Sequence, residues 1–371
     1  MTSKQVVFRA DASLDMGTGH VMRCLTLANA LREKGYECHF ICREHKGNLI
    51  DFILGQGFHA HPLVCSPTTA SNGWEHEGEE LAHAAWLGAS QRDDAGACQK
   101  VLEKIKPQWL VVDHYALDCQ WEQALKPYYE RLMVIDDLAD RSHQCELLLD
   151  QNLGRMEKDY NGLVSEKCNR LIGPNYALLR PEFVELRERS LERRHNSKIS
   201  RILITLGGVD LNNVTAQVLE ALGHSQLPLE TELDIVMGAS APSLLAVRRQ
   251  AKELPFKATV SVNVRDMAER MCLADLCIGA AGSTSWERCC LGLPAIQFVL
   301  ADNQKMVNQS LIEKGAAIAL DTRNVQASDD KVLEDVLTQI WSNISRMINS
   351  SAAIVDGLGS KRVVDHLMSM K

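Results

Sequence analysis

No CxxC pair occurs among the twelve cysteines, and no internal repeat or low-complexity tract interrupts the 371 residues. No stretch approaches the roughly 18 uninterrupted apolar residues of a membrane-crossing helix. The opening MTSKQVVFRADAS lacks the apolar core of a secretion signal and runs straight into a strand-like segment. The cysteines therefore read as reduced thiols of a cytoplasmic protein rather than as a disulfide framework. Cys38 and Cys42 share one parity of YECHFIC with Phe40, a buried-strand pattern, and Cys289 and Cys290 lie in a helix-like segment. Trp74-Glu75-His76-Glu77 lacks the second histidine of a HExxH zinc helix, so no metal site is expected. Basic charge is in deficit too. With 40 Lys and Arg against 48 Asp and Glu the net charge is -8, which argues against a nucleic-acid face. An anionic ligand must then be held by local positive ends. The expected partner is a small molecule, with no nucleic acid and no membrane, and the chain is expected to act as a monomer without cofactor.

What is present is ordinary globular composition, 46% hydrophobic and 24% charged. The length exceeds what one core serves, so two domains of about 180 residues each are expected. Short apolar runs alternate with helix-period segments. Strands are expected at residues 5–10, 36–42, 58–63, 109–113 and 132–135, with helices near 20–34, 91–106 and 121–129. Charge-rich LRERSLERRHNSKIS at 186–200 breaks this alternation and places the boundary there, giving domains over 1–190 and 199–371. The second half restarts with strands at 202–206, 232–237 and 275–279. The fold class is α/β, two doubly wound parallel-sheet domains facing a cleft. Residues 66–78 are polar and turn-rich, a surface excursion that reads equally as a lid or as a plain loop.

In open parallel sheets ligands bind beyond the carboxyl ends of strands, which makes the polar tips Asp113-His114-Tyr115 and Asp136-Asp137 better site candidates than mid-strand positions. Three glycine turns follow such ends. Gly17-Thr18-Gly19-His20 opens the first helix, with Arg9, Asp11 and Asp15 flanking it as a site wall or as plain strand-end polar residues. Met22 stands where the third glycine of GxGxxG belongs, so dinucleotide binding is disfavoured. The positive helix end would keep His20 neutral, as a base must be; a local packing role reads equally well from this turn alone. Gly279-Ala280-Ala281-Gly282-Ser283-Thr284-Ser285-Trp286-Glu287 has the form of a phosphate cradle with no Walker lysine. Glu287, one turn further on, is placed to accept both hydroxyls of a ribose or to face solvent. Gly207-Gly208-Val209-Asp210-Leu211-Asn212-Asn213 repeats the design in weaker form. A glycine turn in each half suggests a ligand held between the domains.

These motifs, in order, resemble the PseG family, the UDP-2,4-diacetamido-2,4,6-trideoxy-β-L-altropyranose hydrolases of pseudaminic acid biosynthesis. The resemblance is carried by Arg9-Ala10-Asp11, Gly17 to Arg23, Asp113-His114-Tyr115, Ile135 to Ala139, Asp150-Gln151-Asn152 and Gly173 to Phe183. In the second half it is carried by Gly207-Gly208, Asp210, Asn213, Gly282 to Glu287 and Asp302-Asn303-Gln304. It covers roughly residues 5 to 320, while 66–98 and the tail after Arg323 find no counterpart. The resemblance implies a glycosyltransferase-B fold like that of MurG-type transferases, with UDP on the C-terminal domain and the sugar toward the N-terminal one. It implies His20 as the base that activates water, and Gly17, Gly19 and Asp11 beside the substrate. Asn213, Gly282, Ser283, Thr284, Ser285 and Glu287 would contact the nucleotide sugar. No metal is needed, and water attacks the anomeric carbon with inversion; flagellin glycosylation is the implied setting. A UDP-sugar transferase, a nucleotide-sugar sensor and an NAD-dependent oxidoreductase are the alternatives.

Overall fold

The computed structural model describes residues 4–65, 81–194, 198–239, 241–321 and 330–370. The expected surface excursion at 66–78 lies outside them. The chain divides into two compact units, Met1–Leu178 with Gly359–Lys371, and Leu179–Leu358.

In the first unit, strands β1 (Lys4–Ala10), β2 (Tyr36–Arg43), β3 (His59–Leu63), β4 (Trp109–Asp113), β5 (Arg131–Ile135), β6 (Leu147–Asp150) and β7 (Asn169–Ile172) form one sheet in the order β3-β2-β1-β4-β5-β6-β7. Every pairing is parallel. Helices α1 (Gly19–Arg32), α2 (Ile50–Gly55), α3 (Gln91–Ile105) and α4 (Cys119–Leu125) are the crossovers. The strands are apolar on both parities because both faces are covered. Val6, Phe8 and Val111 pack with Cys24, Leu27 and Leu31 of α1, while Val7, Leu110 and Val112 pack with Cys98, Leu102 and Trp121 on the other face.

The second unit opens with α5 (Pro181–Arg193) and carries β8 (Arg201–Thr205), α6 (Val214–Gly223), β9 (Glu232–Met237), α7 (Leu244–Glu253), β10 (Lys257–Val262) and α8 (Met267–Leu273). Then follow β11 (Leu276–Ala280), α9 (Thr284–Cys290), β12 (Ala295–Phe298), α10 (Lys305–Glu313), β13 (Ala317–Ala319) and α11 (Asp330–Ile354). Its strands form a second parallel sheet, β10-β9-β8-β11-β12-β13. Leu333, Leu337, Ile340 and Ile344 of α11 recur at helical spacing and close its core. The two parallel-sheet α/β units are as the sequence led us to expect; β6, β7, β12 and β13 are too short to stand out, and β10 is nowhere fully buried and so lacks an apolar run.

The domain boundaries differ from expectation. The charge-rich stretch is not a linker but α5, and its arginines serve the second unit. Arg187 donates to the carbonyls of Cys290, Val355 and Ala352, the last two at 2.9 and 2.7 Å. Arg194 donates to those of Leu291, Ala274 and Met271, at 3.0, 2.5 and 2.8 Å. The guanidinium groups of Arg187 and Arg194 are spent on helix-end and loop carbonyls, which need donors when buried. The tail, α12 (Gly359–Ser369), belongs to the first unit. Val363, Val364 and Leu367 join the core that contains α1, and Arg131 donates to the carbonyl of Met370 at 2.6 Å. Only glycine fits at 359, since a Cβ there would meet the Ala177 oxygen at 2.2 Å.

Candidate functional site

Both sheets reverse strand order at one place, between β1 and β4 and between β8 and β11, where open α/β sheets bind ligands. The three glycine turns and the tip Asp113-His114-Tyr115 each follow one of these four strands, while Asp136-Asp137 follows β5, the neighbour of β4.

In the first unit the turn after β1 folds on itself, with Gly17 N–H bonded to Ser13 O at 2.9 Å and Gly17 at φ +79°, a conformation that favours glycine. Gly19 is exposed at the start of α1, and His20 follows on its first turn, largely buried. His20 Nδ1 lies 2.6 Å from Asp113 Oδ1 at the end of β4. Arg23, one turn along α1, grips the same carboxylate through Nε at 2.6 Å and Nη2 at 2.7 Å, and reaches Asp137 through Nη1 at 2.6 Å. Tyr115 donates to Asp137 at 2.7 Å and receives the edge of the His20 ring with centroids 4.6 Å apart. Burial would raise the Asp113 pKa, but the charges of Arg23 and His20 outweigh it and hold the carboxyl well below its ordinary range. Asp113 is therefore a carboxylate. It accepts the Nδ1–H of His20, which leaves the Nε2 lone pair as the basic one.

Asp11 does not line this turn. It is fully buried, with its Oδ1 2.6 Å from Arg9 Nη1 and accepting the Arg43 N–H at 2.6 Å, and with His114 Nε2 3.2 Å from Oδ2. Expected beside the substrate, the carboxylate here braces the strand ends through partners in the interior. Asp15 is exposed.

In the second unit the turn after β11 carries an exposed Ser283 and half-buried Gly282 and Thr284. Ser285 and Trp286 N–H bond to the carbonyls of Gly282 and Ser283 at 2.9 and 3.2 Å. Among the described residues the N–H groups of Gly282, Ser283 and Thr284 take no backbone partner, as at any helix start. Arg288 supports the turn from inside, donating to Ala280 O at 2.9 Å, Ser285 Oγ at 2.8 Å and Thr284 Oγ1 at 3.1 Å. A Cβ on Gly279 would crowd this guanidinium at 3.0 Å. Ser285 itself is 0% exposed and its hydroxyl also accepts from Gln297 at 3.2 Å, so its side chain is engaged in the brace. Glu287 is half-buried, 3.7 Å from Arg180; burial raises its pKa and Arg180 opposes the rise.

The weaker turn after β8 is capped from within. Asp210, at φ +45°, accepts the N–H groups of Val214 and Thr215 at 2.9 Å each, so the first amides of α6 already have a carboxylate. Asn213 sits at φ +51° with a buried Oδ1 that has no hydrogen-bond partner. That unmet acceptor is the feature of this turn which fits a ligand donor.

No sequence spacing suggested it, but Glu37, His39 and His59 converge near the amino ends of β2 and β3. The His39 and His59 rings stack at 4.6 Å and 18°, with their Nε2 atoms 3.7 and 3.3 Å from Glu37 Oε1. Asp113, Arg23, Asp137 and Tyr115 are the functional residues missed as a set. The sequence signalled them only as polar strand tips and an unremarked arginine.

Comparison with known proteins places these features. Residues 201–366 match the glycosyltransferase family 28 C-terminal domain. The chain is 27% identical over 248 residues to the UDP-2,4-diacetamido-2,4,6-trideoxy-beta-L-altropyranose hydrolase of Campylobacter jejuni, covering 67% of this chain and 74% of that protein. It is 29% identical over 202 residues to the spore coat polysaccharide biosynthesis protein SpsG of Bacillus subtilis, covering 53% and 58%. Among solved structures, Acinetobacter baumannii MurG superposes with a TM-score of 0.69 at 16% identity, over 99% of this chain and 100% of that one. The spinosyn rhamnosyltransferase SpnG superposes with a TM-score of 0.66 at 18% identity, over 99% and 100%. The chain thus has the glycosyltransferase-B fold, with a second unit similar to the family 28 C-terminal domain and, over two thirds of its length, similarity to a UDP-sugar hydrolase.

Proposed function

We propose that this protein hydrolyses UDP-2,4-diacetamido-2,4,6-trideoxy-β-L-altropyranose to UDP and the free sugar, by attack of water on the anomeric carbon with inversion. The observation that carries the reading is the 2.6 Å contact of His20 with a buried carboxylate, which fixes the tautomer of a histidine at a glycine turn. A sensor that only binds has no need of an oriented base. His20 Nε2 takes a proton as the water oxygen bonds to the anomeric carbon. The bond from that carbon to the phosphate oxygen breaks, and its electron pair leaves on UDP. The free amides at Gly282, Ser283 and Thr284 suit the diphosphate, Glu287 the ribose and Asn213 a donor of the nucleotide sugar. A diphosphate is already a good leaving group, so one base suffices and the reaction proceeds without a metal. The similarity to the Campylobacter hydrolase supports the substrate.

A UDP-sugar transferase is the second reading, favoured by the family 28 match and by the transferases among the structural neighbours. There His20 would deprotonate an acceptor hydroxyl. One experiment separates the two: incubation with a panel of UDP-diacetamido sugars in ¹⁸O-labelled water, with proton NMR of the sugar and mass spectrometry of both products. Hydrolysis as proposed puts the label in the sugar and forms the inverted anomer first. Label in UDP would mean attack at phosphorus. Slow hydrolysis that a hydroxyl acceptor suppresses would identify a transferase.

A further inference from the structure

Two rings packed on Tyr115 take no part in holding His20. Trp86 and His83 belong to residues 81–90, part of the stretch that found no counterpart in the family resemblance. Trp86 rides on a short helical turn, Ala84–Leu87, whose Leu87 is buried in the core of the first unit. Gly88 follows at φ +65°, where a Cβ would meet His45 Cε1 at 2.7 Å, so the turn is seated against its neighbours. Ser90 then caps α3 by accepting the Asp93 N–H at 3.1 Å. The segment is therefore anchored on the C-terminal side of Trp86.

Trp86 lies nearly parallel to Tyr115, with centroids 5.9 Å apart and 26° between planes. His83 tilts against both, at 4.4 Å from Trp86 and 5.4 Å from Tyr115. Tyr115 is itself buried and bonded to Asp137, and it carries His20 against it. Trp86 and His83, in contrast, remain half-exposed. A half-bare indole stacked on the tyrosine that contacts His20 is an apolar face one ring away from that histidine.

We propose that Trp86, flanked by His83, is the specificity wall for the sugar, stacking on its apolar parts: the C6 methyl and the methyls of the acetamido groups. The inference rests on the hydrolase reading above and adds to it the residue that selects deoxy, acetamido-bearing sugars over hydroxylated ones. A hydroxymethyl or a bare hydroxyl in place of these methyls leaves the indole face without its contact, and discrimination by apolar contact alone is worth about 10–200-fold.

The test measures kcat and KM for the UDP-diacetamido sugar, and inhibition constants for UDP and UDP-glucose, in the wild type, Trp86→Ala and Trp86→Phe. Trp86→Ala should raise KM by about 10–200-fold while both inhibition constants hold, and Trp86→Phe should recover most of the loss. A wall is overturned if KM and both inhibition constants rise together, or if kcat alone falls, since Trp86 would then only support Tyr115 and His20. A wild type inert toward the diacetamido sugar overturns the substrate reading itself, and the wall with it.

Discussion

Asp113 gives one carboxylate oxygen to His20 at 2.6 Å and meets Arg23 through both, at 2.6 and 2.7 Å, so one residue at the end of β4 sets two side chains of α1. Neither His20 nor its guanidinium neighbour can turn without breaking a charge-assisted contact in the interior.

His20→Ala should abolish turnover while leaving UDP affinity near that of the wild type. Loss of a general base costs about 10²–10⁴ in rate. Turnover at the wild-type level would remove His20 from the chemistry.

Asp113→Asn keeps the shape but turns an amide toward either His20 or Arg23. With its nitrogen facing His20 Nδ1, the ring must carry its proton on Nε2 and loses its basic lone pair there. Turnover should fall by about 10²–10⁴ with UDP binding retained, and pH profiles of kcat in both proteins check it. An unchanged profile and rate would reduce Asp113 to a structural partner of Arg23.

Glu287→Ala should act on binding. Losing charge-assisted hydrogen bonds to a ribose costs about 1.5–3 kcal/mol, read as a raised KM and weaker UDP binding by calorimetry. Unchanged UDP affinity would return Glu287 to being only the partner of Arg180.

Asp210→Ala tests the role of the cap at the turn after β8. Removing a helix cap that accepts two N–H groups should lower stability by about 0.5–2 kcal/mol in denaturant unfolding, with UDP affinity unaltered. Markedly altered UDP binding would show that the turn holds phosphate after all.

Activity should survive exhaustive chelation. Loss with EDTA and recovery with Mg²⁺ or Mn²⁺ would mean that an ion, and not backbone amides, neutralises the leaving diphosphate.

The sequence by itself determined the alternation of strand and helix, because parallel strands covered on both faces must be apolar on both parities, as Val6, Val7 and Phe8 are. It also determined where chemistry could lie, since a glycine turn between a strand end and a helix start exposes amides whatever surrounds it. Which carboxylate orients His20 was decided only in three dimensions: Asp113 stands 93 residues away, and the parallel pairing of β1 with β4 makes them neighbours. The same holds for Asp11 and Ser285, polar residues in promising motifs that pack inward, where Arg9 and Arg288 need them. Local composition also misread α5, whose arginines look solvated in the sequence and are in fact donors to buried carbonyls. A charge pattern records that a group needs a partner, and only tertiary structure supplies one in place of water.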